Sequence, residues 1–101
     1  MLAWAAPASA VNDGYFRYDG TYCGPDQVVI VHIHTSGANV TVGANYTTRN
    51  PWDGGVGFRF TGWKTGAHNS WSTGNRYVGS YDTFVKAGSP GRITGRSLTC
   101  A

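Results

Sequence analysis

Residues 27–35 read QVVIVHIHT and carry the clearest strand pattern in the chain. Successive side chains of a β-strand point to opposite faces, so Val29, Val31 and Ile33 are predicted to share one face. The opposite face is then formed by Val28, Ile30, His32 and His34. Because the segment is apolar on both faces for most of its length, we expect it to lie in the interior of a sheet.

Weaker strand patterns lie on both sides of this segment. The other predicted strands are 15–18, 21–23, 39–47, 56–61, 76–85 and 92–99. The dipeptide Asp19-Gly20 favours a type I′ hairpin turn between the first two. Segment 76–85 is either one strand or two short ones hinged at Gly79 and Ser80. Residues 64–74 are polar except for one tryptophan, so we predict an irregular segment there.

The composition indicates an all-β fold. The chain has no glutamate, and after residue 10 it has no methionine and a single leucine, Leu98, so most strong helix formers are missing. Fifteen glycines and six tyrosines, with abundant valine and threonine, favour short strands and tight turns. We predict a single-domain antiparallel β-sandwich or small barrel of about six to seven strands.

The two cysteines, Cys23 and Cys100, are far apart in the sequence. Free thiols or half of a metal site are the alternatives, but the chain has no Cys-x-x-Cys element, so we predict a disulfide between them. Closing a loop of this length stabilises a fold by about 4 to 4.5 kcal/mol in the chain-entropy model. A disulfide indicates an oxidising, extracellular compartment.

The first ten residues, MLAWAAPASA, are similar to the end of a secretory signal. They are apolar and finish with Ala8-Ser9-Ala10, a small-x-small cleavage pattern. We therefore predict that residues 1–10 are the remnant of a signal and that residues 11–101 form the single β domain. A frayed apolar terminus is the alternative. No other stretch is apolar enough for long enough to span a bilayer.

The charge pattern argues against a nucleic-acid partner. Eight lysines and arginines against five acidic residues give a net charge of +3. The basic residues are scattered singly, whereas nucleic-acid binding requires a run or a stripe of them. We interpret the charge as a weak attraction to anionic surfaces such as a cell envelope.

No residue pattern indicates catalysis. Asp13, Asp19 and Asp53 each precede a glycine and Asp26 follows a Gly-Pro pair, so these aspartates have a conformational reason to lie in turns. Only Asp82 lacks that explanation. No serine lies in a Gly-x-Ser-x-Gly element, and paired cysteines leave no thiol nucleophile. We predict a protein that is not an enzyme and has no cofactor.

The three histidines allow one further reading. His32 and His34 are two apart on a strand, so their rings point from the same face about 7 Å apart. This spacing can supply two ligands to zinc, and His68 could be a third. A pair of half-exposed histidines on a sheet face is the commoner situation, and no acidic or cysteine ligand is near in sequence. We therefore predict no metal site.

Residues 52–77 are the best candidate for a contact surface. They combine aromatic rings with amide and basic side chains: Trp52, Trp63, Lys64, His68, Asn69, Trp71, Asn75 and Tyr77. Rings offer a large contact area at low entropic cost, which suits a sugar face or a protein hot spot. Trp63 closes an alternating strand and is predicted to lie in the core. Trp71, isolated among small polar residues, is predicted to be exposed.

The layout also resembles small secreted β-proteins of actinobacteria. The matching features are Ala8-x-Ala10, Tyr22-Cys23-Gly24, the valine-rich residues 28–31 and Cys100. They are similar to the spore-associated protein A type and to the small adaptor subunit of umbrella-shaped secreted toxin particles. The resemblance implies an exported protein of no known catalytic role, or one that bridges a lectin to a toxin by protein contacts.

We expect a secreted, non-enzymatic binding module. Its partner would be another secreted protein or a cell-surface glycan, bound as a protein-bridging adaptor or by a glycan-directed surface. The alternative is a secreted inhibitor or antimicrobial protein that acts on a competitor's enzyme or envelope.

Overall fold

The computed structural model describes residues 10–17, 21–49 and 56–101. Over these ranges the chain forms ten β-strands and no helix, which confirms the all-β prediction. The strands are β1 (Ala10–Arg17), β2 (Thr21–Tyr22), β3 (Val29–Thr35), β4 (Thr41–Arg49), β5 (Val56–Phe60), β6 (Lys64–Thr65), β7 (His68–Ser72), β8 (Tyr77–Val78), β9 (Tyr81–Lys86) and β10 (Ile93–Cys100). Three of them, β2, β6 and β8, have only two residues each.

The strands form two principal sheets and one short ribbon, all antiparallel. The larger sheet has the order β1-β9-β4-β5, and β6 pairs with the opposite end of β4. The smaller sheet has the order β10-β3-β7. Among the described residues, strands β2 and β8 form a two-stranded ribbon with each other.

The main core lies between the two principal sheets. Val31 and Ile33 of β3, both fully buried, belong to one cluster with Val42 and Ala44 of β4 and Val85 of β9. Side chains from both sheets therefore meet face to face, as in a β-sandwich. The predicted all-β antiparallel fold class and the central position of β3 are confirmed. The described residues form ten strands instead of the predicted six to seven, because β6 and β7 were not predicted and segment 76–85 contains two strands.

A second core cluster surrounds the disulfide. Cys23 is bonded to Cys100 with their Cα atoms 5.6 Å apart, as predicted. Buried Cys23 packs with Val29, Val78 and Tyr81. The bond thus joins the segment after β2 to the end of β10 and closes one end of the sandwich.

The prediction of an irregular segment at 64–74 is wrong. The structure has β6 and β7 there, and β7 pairs with β3 along its whole length. The side chains of β7 alternate, with Asn69 and Trp71 buried and His68 and Ser72 exposed. The polar composition concealed this strand because an edge strand of a sandwich needs few apolar residues on its core face.

The predicted hairpin at 15–23 is also wrong in its pairing. Strand β1 pairs with β9, and β2 pairs with β8. Asp19 and Gly20, the predicted turn, lie outside the described residues. Segment 76–85 does consist of two short strands, β8 and β9, separated by Gly79 and Ser80.

The ten residues predicted as a signal remnant are mostly outside the described part of the chain. Ala10 is the exception, because it begins β1 opposite Lys86 of β9. Cleavage after Ala10 would leave the rest of β1 in place, from Val11 opposite Val85 onward.

Candidate functional site

An exposed group of rings and cations lies at the edge of the larger sheet, where β5 leads into β6. Phe60 remains 39% exposed, and the Trp63 ring meets it edge-on with the ring centroids 5.0 Å apart. Lys86 of β9 lies with its Nζ 5.8 Å from the centre of the Trp63 ring. With Lys64 of β6, these residues form what we call the aromatic edge.

Local backbone structure fixes the two rings. The Phe60 ring lies over Gly43, where a Cβ atom would come within 2.8 Å of the ring. Thr61 and Ala44 exchange two hydrogen bonds, from Thr61 N to Ala44 O and from Ala44 N to Thr61 Oγ1, each 2.9 Å. Gly62 then adopts a φ of 92°, which turns the chain before Trp63.

Lys64 links the aromatic edge to the smaller sheet. Its ammonium group donates a hydrogen bond to the backbone carbonyl of Ser70 in β7 and lies 5.3 Å from the centre of the Trp71 ring. A lysine at this position also obstructs pairing of β7 with a foreign strand, since charged side chains discourage edge-to-edge association.

The residues predicted as one surface between 52 and 77 do not form one surface. Trp63 and Lys64 belong to the aromatic edge, and Trp63 is half-buried outside both core clusters, which differs from its predicted core position. Trp71 is only 9% exposed and packs in the main core, so its predicted exposure is wrong. Trp52 lies outside the described residues.

The remaining predicted contact residues are divided among other places. Asn69 is 7% exposed and donates a hydrogen bond to the carbonyl of Gly66, so it supports a turn. Asn75 is held in its own turn by a 2.7 Å hydrogen bond from its side-chain amide to the carbonyl of Thr73. Tyr77 is part of a second aromatic group, and His68 lies on the outer face of the smaller sheet.

That second group, which we call the tyrosine patch, consists of Tyr22, Tyr77 and Arg76. The two rings are 5.4 Å apart, Tyr22 is 64% exposed, and the Arg76 guanidinium lies 5.4 Å from the Tyr22 ring. Arg76 also donates to the carbonyl of Cys23, which fixes it beside the disulfide.

The tyrosine patch is distant from the aromatic edge. The Phe60 ring lies over Gly43 of β4, whereas the N–H of Gly79, just after β8, donates to the carbonyl of Thr47. Four residue steps of extended strand lead from Gly43 to Thr47, about 14 Å at 3.4 Å per residue. The sequence did not identify Tyr22, Phe60 or Lys86, because their neighbours in space come from other strands.

The three histidines meet on the outer face of the smaller sheet. His32 Nδ1 lies 3.3 Å from His68 Nε2, and the His34 ring stacks on the His68 ring at 4.2 Å between centroids. Ser70 Oγ is 2.8 Å from His32 Nδ1, and Thr99 Oγ1 is 2.7 Å from His32 Nε2. Within the described ranges, no three or more His, Cys, Asp or Glu side chains are grouped to hold a metal ion.

The surroundings of His32 disfavour its charged form. Partial burial, and the neighbouring His68 and His34, lower the pKa of His32 below its usual value of 6.5. Ser70 Oγ and His32 Nδ1 are as close to each other as a serine nucleophile and its general base are in a catalytic pair. However, a general base has to become an imidazolium, which these neighbours disfavour, and the other nitrogen of His32 meets a threonine hydroxyl instead of a carboxylate. The pair therefore lacks the support that catalysis requires.

Asp82, the aspartate without a turn role, is 3% exposed. Its Oδ1 accepts a 2.9 Å hydrogen bond from the backbone N–H of Thr83. It lies within paired β9, opposite Asn45 of β4. This environment gives Asp82 a structural role.

Comparison of the chain with protein-family models, with curated proteins and with solved structures found no match. Across the described part of the chain, no helix has the length and apolar character needed to cross a membrane.

Proposed function

We propose that this protein is a secreted, non-enzymatic binding module that bridges partners through its aromatic edge and its tyrosine patch. The observation that carries the proposal is the exposed Phe60 ring, with the half-buried Trp63 ring edge-on to it and Lys86 over the Trp63 ring. Tryptophan, tyrosine and arginine are enriched among the residues that dominate binding energy at protein interfaces, and phenylalanine is enriched in interfaces generally.

Bridging needs two contact surfaces that do not compete. The tyrosine patch provides a second group of exposed ring and cation, and it lies at a different position along β4 from the aromatic edge. Two partners that each contact one of these groups could therefore bind together. A protein partner at one end and a glycan at the other is compatible with the same arrangement, because sugar faces also stack on aromatic rings.

Extracellular action is supported by the oxidised state. The Cys23–Cys100 bond is consistent with an extracellular protein, since structural disulfides persist in oxidising compartments. The signal-like residues 1–10 and the resemblance to small secreted β-proteins point in the same direction. That resemblance includes an adaptor that bridges a lectin to a toxin, which is the kind of role proposed here.

The test is capture of partners from the culture fluid of the organism that produces the protein, with surface variants of the immobilised, oxidised chain. Trp63→Ala should reduce capture of one partner about tenfold or more, the loss expected for a hot-spot residue. Tyr22→Ala, the matched change at the tyrosine patch, should spare that partner and reduce capture of another.

Two results would contradict the proposal. Unchanged capture by both variants would exclude the two surfaces, and loss of the same single partner by both would exclude bridging. A glycan array probed with the unmodified chain, Trp63→Ala and Tyr22→Ala shows whether one of the partners is a sugar.

A further inference from the structure

Three donor atoms converge on the outer face of the smaller sheet. His32 Nδ1, His68 Nε2 and Ser70 Oγ form a triangle whose edges are 3.3 Å between the two nitrogens, 2.8 Å from Ser70 to His32 and 3.4 Å from Ser70 to His68. The strand register explains the convergence, because Ser70 lies directly opposite His32 and His68 lies directly opposite His34. All of these side chains point away from the main core.

The tautomer of His68 decides whether the three atoms are satisfied without a ligand. When His68 carries its proton on Nε2, it can donate to Ser70 Oγ while Ser70 donates to His32 Nδ1, and no atom is left without a partner. When His32 donates its Nε2–H to Thr99, its Nδ1 presents a lone pair to the triangle. Ser70 has one hydroxyl hydrogen and can donate to one ring nitrogen at a time. If His68 carries its proton on Nδ1, two nitrogen lone pairs face each other at 3.3 Å. A bound cation would relieve this repulsion.

The dimensions of the triangle match those of a metal coordination shell. Zinc–nitrogen bonds are about 2.0–2.1 Å, so two ligands of a tetrahedral ion lie about 3.3–3.4 Å apart, and adjacent ligands of an octahedral ion about 2.9 Å apart. The three edges of the triangle fall around these two values. The third donor is the hydroxyl oxygen of Ser70, so histidine supplies only two of the three donor atoms.

We propose that this histidine triangle binds one divalent transition-metal ion, with His32 Nδ1 and His68 Nε2 as ligands and Ser70 Oγ as a weak oxygen donor. Imidazole nitrogen suits copper, nickel and zinc, and the Irving–Williams order makes copper(II) the tightest of them. The remaining coordination positions face solvent and would hold water. The site is independent of the two contact surfaces proposed above.

Two further residues support the ligands. Thr99 lies 2.7 Å from His32 Nε2, and when it accepts the Nε2–H it holds the tautomer with a free Nδ1, the outer-sphere role that carboxylates and carbonyls play at many metal-bound histidines. The His34 ring stacks on His68 with an interplanar angle of 13° and holds that ring in position.

The test is titration of the oxidised full chain with copper(II) sulfate in a non-coordinating buffer, followed by visible absorption and electron paramagnetic resonance. The expected result is one copper(II) per chain, with hyperfine coupling to two nitrogens. His32→Ala and His68→Ala should each weaken binding about tenfold or more, and Thr99→Val should weaken it about tenfold, as loss of an outer-sphere partner does. Calorimetric titration with zinc(II) should rank the variants in the same order, and each should bind zinc(II) more weakly than copper(II).

His34→Phe is the matched control, since it removes the imidazole nitrogens of a histidine on the same face but keeps a ring that can stack on His68. It should retain two-nitrogen coupling. The proposal is overturned if the double variant His32→Ala with His68→Ala binds copper(II) as tightly as the unmodified chain, or if coupling to a single nitrogen is observed. The substitutions lie on the outer face of the sheet, and circular dichroism checks that each variant is folded.

Discussion

Replacement of Trp71 by alanine tests whether the strand that the sequence concealed packs as the structure shows. Trp71 is 9% exposed, lies opposite Val31 in the neighbouring strand and belongs to the main core cluster. Removing a buried tryptophan ring generally costs about 3–5 kcal/mol in the free energy of unfolding. Because Trp71 lies on an edge strand with Lys64 over its ring, we expect the lower part of that range, about 3–4 kcal/mol.

A loss of this size is easily measured. Domains of about 100 residues are stable by roughly 5–15 kcal/mol and lose about 4–8 °C of melting temperature per kcal/mol. Trp71→Ala should therefore lower the melting temperature by more than about 12 °C, followed by circular dichroism without reductant. Trp63→Ala is the control, because this half-buried ring lies outside both core clusters and meets Phe60 edge-on among the described residues, so that its removal should cost only about 1 kcal/mol. Equal and small effects of the two substitutions would refute the placement of Trp71 in the core.

The other stability predictions concern a close packing contact, a titrating side chain and the disulfide. Gly43→Ala should destabilise by about 1–3 kcal/mol because its Cβ would lie 2.8 Å from a carbonyl oxygen and from an aromatic ring, whereas Gly37→Ala, with nothing within 4 Å, should be nearly neutral in urea unfolding. The pKa of His32 is lower in the folded chain than its usual 6.5, so the unfolded chain binds the proton first, and metal-free protein should lose stability as the pH falls from about 7 through 6.5 to the folded pKa. His32→Gln should remove that part of the pH dependence, and an unchanged profile would contradict the assignment. Reduction of the Cys23–Cys100 bond should lower the free energy of unfolding by up to about 4.5 kcal/mol, and a shift near zero would show that the bond does not constrain the unfolded chain.

The sequence was sufficient for features that depend on alternation along one strand. Val29, Val31 and Ile33 lie on the buried face of β3 because a period of two settles which face is apolar. The cysteine pairing was equally accessible, since Cys23 and Cys100 had no competing partner.

Features that depend on contacts between distant segments could not be predicted. Trp71 looks exposed among small polar residues, but its strand lies against β3 and its ring is covered by the opposite sheet. The aromatic edge was found only in part, because Lys86 reaches Trp63 from β9 and Phe60 fits over a glycine of β4. Such contacts are set by sheet order, which a hydrophobic pattern does not contain.

The three histidines show both what the sequence could predict and what it could not. The pattern correctly placed His32 and His34 on one face and raised His68 as a possible neighbour. It could not show that His34 stacks on His68 while Ser70 and Thr99 contact His32, because strand register decides which side chains are opposite one another. The copper titration therefore decides between the sequence-based prediction of no metal site and the metal site proposed at the histidine triangle.

Every step of the proposed function depends on an oxidised domain that works outside the cell. The most direct test is peptide mapping by mass spectrometry, without reductant, of the protein recovered from the culture fluid of its producer. The expected result is a single peptide pair in which Cys23 is crosslinked to Cys100. Recovery of the protein only inside cells, or alkylation of both cysteines before any reductant is added, would contradict it.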